Sequence, residues 1–291
     1  MTLRRYLQLD VFADRPGAGN PLGVVFDASG MEAEAMQAYA TWANLSETVF
    51  FLPPTAAEAD YRVRIFTPRQ ELPFAGHPSV GAAWAALDSG LVQAKAGSLL
   101  QECAAGLLPV KIEQRDAGRF VHVRAPQAQE VATGGLHADA LTSALRDLPL
   151  GKRAPALWNN GPSWWLVELA DAAAVRGMQP HLPAIAALTT ASNAVGLAVF
   201  GRADGCDHDL AVRAYCPADG IPEDPVTGSA NASIAALLHH AGALPAAEGG
   251  YLASQGREMG RDGRVEVRLD PGNQVWIGGQ VQAVIRGSVD W

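Results

Sequence analysis

The stretch Glu71-Leu-Pro-Phe-Ala-Gly-His77 has a second copy later in the chain, Glu223-Asp-Pro-Val-Thr-Gly-Ser229, at an offset of 152 residues (223 minus 71). A second matched pair lies upstream, Asp60-Tyr-Arg-Val-Arg-Ile-Phe-Thr-Pro68 and Asp209-Leu-Ala-Val-Arg-Ala-Tyr-Cys-Pro217, at an offset of 149 residues (209 minus 60). Because the matches occur in the same order, the chain contains one kind of unit twice. Two copies are too few for a solenoid, so the repeat predicts two similar half-domains that face each other.

The sequence around these motifs predicts units that are rich in strands and contain few helices. Runs of Val, Phe and Tyr at 47–52 and 61–66 are typical of strands. A run of small apolar residues follows each copy of the first motif, at 78–87 and at 230–238. A helix that is apolar all round is normally buried, so we expect a curved sheet around one helix in each unit. Three tryptophans are also expected to pack in a core: Trp158, Trp164 and Trp165.

The repeat also suggests where the domains begin and end. A chain of 291 residues is long enough for two domains. We expect an N-terminal half-domain at 1–125, with the segment 280–291 as a candidate strand to complete it, and a C-terminal half-domain at 126–279. The segment 125–156 is rich in Ala, Pro and Gly, and it is expected to cross between the halves.

Composition and patterning exclude several classes of protein. The formal net charge is −8 and no Lys/Arg run is present, which argues against nucleic-acid binding. No stretch approaches the roughly 20 apolar residues of a membrane span, and residues 1–10 do not resemble a signal peptide, so a cytoplasmic protein is expected. Cys206-x-His208 with Cys216 lacks a fourth ligand at a familiar zinc spacing, so no metal site is expected.

Both copies of the first motif are expected to begin a helix. Pro78 follows His77 and suits the first turn of a helix, while Ser229 is a good N-cap residue at the matching place. Gly76 and Gly228 would let the backbone turn tightly and a ligand approach closely. Free backbone N–H groups and the helix dipole favour an anion at such an end. The two helix entries therefore predict a carboxylate site, with plain helix capping as the alternative.

Glu47 is the second residue that stands out, because it directly precedes a strongly apolar strand in Asn44-Leu-Ser-Glu-Thr-Val-Phe-Phe-Leu52. A carboxyl group at the edge of a buried strand loses water, which raises its pKa from about 4.3 toward neutrality. A proton shuttle needs such a pKa, since it must both take and give a proton. Capping of Thr48 or a position facing solvent is the alternative. His77 and Asp224, which border the predicted carboxylate site, complete the candidate catalytic set.

Together these motifs resemble those of the phenazine-biosynthesis PhzF-like family, and the resemblance covers nearly the whole chain. It rests on both copies of the repeat and on the following stretches, in this order: Gln8-Leu-Asp-Val-Phe-Ala, Gly19-Asn-Pro21, Leu45-Ser-Glu-Thr48 and Arg64-Ile-Phe-Thr-Pro68. The resemblance implies an α+β fold like that of diaminopimelate epimerase. Such a fold has two pseudo-symmetric halves, each a barrel-like β-sheet around a central α-helix, with the active site between them.

The resemblance also implies a reaction and a set of roles. The implied reaction isomerises trans-2,3-dihydro-3-hydroxyanthranilate, or a related small carboxylate, without metal or organic cofactor, in a homodimer. Glu47 matches the residue that carries the proton, and His77, Asp224 and Ser229 match residues that line the pocket. Backbone N–H groups at the Gly76 and Gly228 motifs would hold the carboxylate.

Two other functions stay open at this point. The first is a small-anion binding protein that has kept the cleft without catalysis. The second is a hydrolase that uses Ser229, His77 and Asp224, although no Gly-x-Ser-x-Gly elbow is present. A racemase with two facing thiols is not expected, because no cysteine lies in either helix-entry motif; the cysteines are Cys103, Cys206 and Cys216.

Overall fold

The computed structural model describes residues 2–245 and 249–291. The chain packs into two compact units. The first comprises the chain up to Arg124 together with Gly278–Trp291, and the second comprises Ala125–Ile277. Compactness alone does not make either unit a domain that folds by itself, so the half-domains at 1–125 and 126–279 stay a prediction.

The first unit is built mainly from strands that are numbered in chain order: β1 (Leu3–Val11), β2 (Asn20–Val25), β3 (Glu47–Leu52), β4 (Tyr61–Phe66), β5 (Glu71–Leu72), β6 (Ser98–Cys103), β7 (Gly106–Arg115), β8 (Gly118–Arg124) and β18 (Val281–Asp290). Its helices are α1 (Ala33–Ala43) and α2 (Gly76–Asp88). Strand β1 pairs antiparallel with both β18 and β2. The sheet continues through a parallel β2–β3 pair, an antiparallel β3–β4 pair, a parallel β4–β6 pair and antiparallel β6–β7 and β7–β8 pairs.

Helix α2 is the centre of the first unit. It contacts strands on several sides, namely β1, β2, β3, β4, β6, β8 and β18. Small side chains make this close approach possible, and Ala82, Ala83, Ala85 and Ala86 are all fully buried. A Cβ atom at Gly81 would lie 2.4 Å from Leu22 Cδ2, so a larger residue there would have to displace the Leu22 side chain. The apolar helix predicted at 78–87 is therefore a core helix in this unit.

The second unit has the strands β9 (Gln129–Thr133), β10 (Ala156–Asn159), β11 (Ser163–Glu168), β12 (Gly196–Arg202), β13 (Leu210–Cys216), β14 (Ile221–Asp224), β15 (Gly250–Gln255), β16 (Gly263–Leu269) and β17 (Val275–Gly279). Residues 278–279 of β17 belong to the first unit. The helices are α3 (Ala138–Ala144), α4 (Ala172–Gly177), α5 (Leu182–Ser192) and α6 (Gly228–His240). Here β11–β12 is parallel, β12–β13 antiparallel, β13–β15 parallel and β15–β16 antiparallel, the same alternation as in the first unit.

The helices repeat in the same way as the strands. Helices α2 and α6 each contain 13 residues, and α1 and α5 each contain 11. Helix α1 ends at Asn44 with φ 51° and ψ 36°, and α5 ends at Asn193 with φ 51° and ψ 37°. Asparagine tolerates this left-handed conformation better than most residues. Of the described residues, none belongs to a helix long and apolar enough to span a bilayer.

The segment 125–156, which was expected to cross between the half-domains, forms regular secondary structure in the second unit. It contains β9 and α3, and β9 pairs antiparallel with β10 inside the second unit. Leu141 and Ala144 of α3 are buried in the same core cluster as Ile185 and Leu188 of α5. The high alanine content that suggested a linker is here the composition of a helix, because alanine is the best helix former.

One ion pair of the repeated motifs occurs in both units. Arg64 donates two hydrogen bonds to the Glu71 carboxylate at 2.7 and 2.6 Å, and Arg213 donates two to Glu223, both at 2.8 Å. The two pairs differ in exposure. The Arg64 and Glu71 side chains are 24% and 34% exposed, whereas those of Arg213 and Glu223 are 7% and 12% exposed. Arg213 also donates to the Met178 carbonyl at 2.7 Å.

This difference predicts unequal effects on stability. Arg213→Met is expected to lower the free energy of unfolding by about 3 kcal/mol, because it leaves the largely enclosed Glu223 carboxylate and the Met178 carbonyl without a partner. Arg64→Met is the matched control, and it is expected to cost less than about 1 kcal/mol, since the pair is more exposed to water. Urea unfolding of both variants and of the unaltered protein measures this. Equal losses for the two variants would contradict the prediction.

Candidate active site

Glu47 is the first residue of β3. The residues after it are buried from Thr48 to Phe51, and its register partner in the parallel strand β2 is Leu22. The Glu47 side chain is itself 16% exposed. Its carboxyl group is therefore placed at the start of a buried strand and is largely withdrawn from water, which does not favour the alternative of a position facing solvent.

His77 is the second residue of α2, and it lies beside Glu47. Its side chain is only 6% exposed, and its Nε2 atom lies 3.3 Å from Glu47 Oε2. The contact lacks the angles of a hydrogen bond. The sequence named these two residues separately, 30 positions apart, and the packing of β3 against α2 brings them together.

The contact between His77 and Glu47 is not an ion pair at neutral pH. Burial lowers the pKa of His77 to about 3, and a hydrogen bond to the Pro21 backbone opposes this only in part. Proline has no N–H group, so its carbonyl must accept this bond from the ring. Since Nε2 makes no hydrogen bond, the donor is Nδ1. The neutral ring therefore carries its lone pair on Nε2, the ring nitrogen that contacts Glu47.

This arrangement can hold one proton. A carboxylate oxygen and an imidazole lone pair 3.3 Å apart are both acceptors, and they attract each other only when a proton lies between them. A proton on Oε2 could be shared with Nε2 after one of the two side chains rotates, since the contact as it stands is not a hydrogen bond. A group that can hold and release a proton in a largely dry setting is what general acid–base catalysis requires.

The entry of α6 in the second unit is fixed by a network of polar side chains. The Thr227 hydroxyl donates to Asp224 Oδ2 at 2.5 Å, and the Thr227 N–H donates to Gln255 Oε1 at 3.0 Å. Thr227 is the N-cap residue and the helix begins at Gly228. The expectation that Ser229 caps this helix is therefore wrong. A threonine two positions earlier holds that place.

Ser229 has two partners in the second unit. Its Oγ atom accepts a hydrogen bond from Trp164 Nε1 at 3.1 Å, and its carbonyl accepts one from Asn160 Nδ2 at 2.9 Å. Trp164 is buried, as predicted for a core residue. Its contact with a candidate substrate-binding serine was not predicted from the sequence.

Helices α2 and α6 each have a polar contact with a neighbouring strand that was not predicted from the sequence. Gln101 donates to Ser79 Oγ at 2.9 Å, and Asn231 donates to Gln255 Oε1 at 3.1 Å. Ser79 and Asn231 are separated by the offset of the repeat, 152 residues (231 minus 79). Ser79 and Asn231 are polar residues at the same position of two largely apolar helices. Because buried polar groups need partners, this pattern could have indicated the two contacts.

The candidate residues thus fall into two groups. Glu47, Gly76 and His77 belong to the first unit, and the second unit holds Asp224, Gly228 and Ser229. Gly76 and Gly228 are the first residues of their helices, with ordinary negative φ angles. A tight turn with positive φ is therefore not the reason for glycine at either position. Close approach of a ligand to their N–H groups stays a prediction.

The cysteines do not form a pair of acid–base thiols in this structure. Cys103 and Cys216 are buried, Cys206 is exposed, and none of the three forms a disulfide. Burial raises the pKa of the Cys103 thiol, so this group stays protonated at neutral pH. The class to which this fold points is that of the isomerases with an epimerase-like α+β fold.

Comparison with known proteins agrees with this class. The chain belongs to the phenazine biosynthesis-like protein family (PhzC-PhzF), whose model matches residues 9–287. It is 32% identical to antisense-enhancing sequence 1 of Schizosaccharomyces pombe, over 99% of each chain. It is 34% identical to the trans-2,3-dihydro-3-hydroxyanthranilate isomerase of Pseudomonas aeruginosa, over 92% of this chain and 91% of that one. The predicted family is confirmed, and so is the predicted class of enzyme, an isomerase.

A solved structure confirms the predicted fold class. The PhzF-family protein of Bacillus anthracis superposes with a TM-score of 0.84 and 28% identity, and the match covers 100% of both chains. The α+β fold of the epimerase-like type is therefore the fold of this protein.

The buried neutral His77 predicts a particular dependence of stability on pH. Its pKa is about 3 in the folded protein and about 6.5 in an unfolded chain, so the unfolded state binds more protons between these values. The contribution of His77 to the free energy of unfolding is fully present above pH 6.5. It is lost as the pH falls toward 3, which lowers the free energy of unfolding by up to about 5 kcal/mol.

Urea unfolding between pH 4 and 7.5 measures this effect, and other acidic groups contribute to it in every variant. His77→Gln is expected to show a shallower fall than the unaltered protein, because it lacks the titrating ring. His239→Gln, which replaces an exposed histidine, should follow the unaltered protein. Parallel curves for all three proteins would show that His77 does not titrate as described.

Proposed function

We propose that this chain is a cofactor-independent isomerase that moves a proton within a small carboxylate, either trans-2,3-dihydro-3-hydroxyanthranilate or a related compound. The observation that carries the proposal is the contact of Glu47 Oε2 with the neutral His77 Nε2 at 3.3 Å. The substrate class is supported by the Pseudomonas aeruginosa relative, which is named for that compound.

In the proposed reaction Glu47 carries the proton. Its carboxylate removes a proton from one carbon of the substrate, and the double bonds shift. The acid form then returns a proton to a different carbon of the same molecule. Substrate and product have the same atoms and the same oxidation level, so the reaction consumes no oxidant, reductant or second substrate.

His77 is proposed to support the acid form of Glu47. Its lowered pKa, about 3, keeps the imidazole neutral during the reaction, and the lone pair of Nε2 can accept a hydrogen bond from a protonated Oε2. The acid form is thereby held in one orientation between the two proton transfers. A charged His77 would instead favour the carboxylate and oppose the return of the proton.

The remaining candidates are proposed to bind the substrate. Gly76 and Gly228 begin α2 and α6, and N–H groups in the first turn of a helix lack intrahelical partners, which suits a carboxylate. Ser229 adds a hydroxyl group to this site. Asp224, which accepts a hydrogen bond from the Thr227 hydroxyl, is instead proposed as a third catalytic residue beside Glu47 and His77. We also propose that the protein is a homodimer, as the family resemblance implies.

Proton NMR in heavy water tests this reaction with trans-2,3-dihydro-3-hydroxyanthranilate. The unaltered protein is expected to form the isomer with deuterium at the carbon that receives the proton. Glu47→Gln should lose at least about 100-fold in rate, because an amide cannot exchange the proton. Glu71→Gln is the matched control, since it changes a glutamate of the same unit that pairs with Arg64, and it should keep most of the activity.

Each other outcome points to a different function. Turnover by Glu47→Gln at the unaltered rate would rule out Glu47 as the proton carrier. Thermal stabilisation by the substrate without any product would indicate a small-anion binding protein. Covalent labelling of Ser229 by a serine-reactive phosphonate would favour a hydrolase.

A further inference from the structure

The repeat assigns a counterpart to Glu47 in the second unit. The offset of 149 residues that relates Asp60 to Asp209 also relates Glu47 to Gly196 (196 minus 47). Both are the first residues of matching strands, β3 and β12. The sheet register agrees, because Thr48 is paired with Phe66 in β4, and their counterparts at the same offset, Leu197 and Tyr215, are paired in β12 and β13. The second unit thus has a glycine at the position where the first unit has the carboxyl group of Glu47.

The ring of Trp164 occupies the space that a side chain at Gly196 would need. A Cβ atom at Gly196 would lie 2.4 Å from Trp164 Cζ3, 2.5 Å from the Tyr215 carbonyl oxygen and 2.8 Å from Cys216 Sγ. These distances are too short for any side chain, so a carboxyl group cannot stand there without displacing the tryptophan. Trp164 is only 2% exposed, and its ring is therefore held firmly in this place.

The same comparison relates His77 to Ser229, at the offset of 152 residues (229 minus 77). In the first unit the side chain of His77 faces Glu47. In the second unit the counterpart, Ser229, faces Trp164 and accepts its indole N–H at 3.1 Å. His77 therefore contacts the carboxyl group of Glu47, whereas its counterpart Ser229 contacts the ring that fills the space at Gly196.

This hydrogen bond decides what the Ser229 hydroxyl can offer. A serine hydroxyl has one hydrogen and two lone pairs, and an indole N–H can only donate. Because Ser229 Oγ accepts from Trp164 Nε1, its own hydrogen is left to donate. Asn160 fixes the backbone of the same residue through the Ser229 carbonyl at 2.9 Å. A fixed O–H donor suits an acceptor such as a carboxylate.

We propose that Trp164 is a positioning residue that sets Ser229 Oγ as a hydrogen-bond donor to the anionic oxygen of the substrate. The inference rests on the proposed function, since it takes Ser229 as a substrate-binding residue. It assigns Trp164 to recognition of the carboxylate and not to the proton transfer itself. Loss of the indole N–H should therefore weaken binding of the substrate and leave the chemical step nearly unchanged.

Steady-state kinetics of Trp164→Phe test the proposal with trans-2,3-dihydro-3-hydroxyanthranilate. KM is expected to rise about tenfold, with kcat within about threefold of the unaltered protein. Trp165→Phe is the matched control, because Trp165 is also fully buried and its Nε1 donates to Ser192 Oγ at 2.8 Å. This control should lose similar stability and keep its KM. Equal KM changes in both variants would overturn the proposal.

A double-mutant cycle separates positioning from general packing. In a Ser229→Ala background the additional change Trp164→Phe should alter KM by less than about twofold, because the hydroxyl that it orients is already gone. A full tenfold effect in that background would show that Trp164 acts by another route.

Binding of anthranilate distinguishes failure of this inference from failure of the proposed function. If the unaltered protein does not turn over the substrate but binds anthranilate in calorimetry, the reaction fails, and Trp164→Phe should still raise Kd about tenfold. An unchanged Kd would overturn the role of Trp164. Binding of neither compound would overturn the anion site at Ser229 and the role of Trp164 with it.

A further measurement needs no variant. Saturating anthranilate is expected to shift the indole N–H resonance of Trp164 in a nitrogen-15 NMR spectrum and to leave that of Trp165 in place. A Trp164 resonance that does not move while anthranilate is bound would contradict the proposal.

Discussion

The burial of His77 is the constraint on which the candidate chemistry depends. An imidazole enclosed by protein cannot easily keep a charge, so its pKa falls to about 3 and its Nε2 offers a lone pair to Glu47. The burial follows from the position of α2 inside the sheet, which small residues such as Ala82 and Gly81 permit. The small side chains of α2 allow the sheet to enclose it, and His77 lies in its first turn. The packing that forms the core therefore also buries the histidine.

The two units share an arrangement of strands and helices, and they differ in the side chains at matching positions. The shared contacts include backbone hydrogen bonds to equivalent carboxylates: Leu100 N–H donates to Asp60, and Leu252 N–H donates to Asp209. These contacts hold strands and helix entries in place without using the side chain that follows each helix-entry glycine. The residue after the helix-entry glycine can therefore differ between the units. It is His77 in the first unit and Ser229 in the second.

The sequence predicted what depends on local pattern and on the repeat. The strands at 47–52 and 61–66 were placed with their observed bounds, because short apolar runs end there at polar residues and proline. The fold class followed from the motifs. What could not be predicted depends on distant neighbours: the bond from Trp164 to Ser229 joins residues 65 positions apart. Likewise, no local pattern states that Glu47 and His77 approach to 3.3 Å.

The replacement of Glu47 by Gly196 at the matching position bears on the kind of isomerisation. Inverting a stereocentre calls for one group that removes a proton and a second that delivers one to the opposite side of the carbon. The second unit has no such group at the position that matches Glu47, because Trp164 fills the space at Gly196, 2.4 Å from where a Cβ would stand. At this pair of positions only Glu47 can exchange a proton. In the proposed reaction Glu47 therefore both takes the proton and gives it back, which suits moving a proton between two carbons better than inverting one.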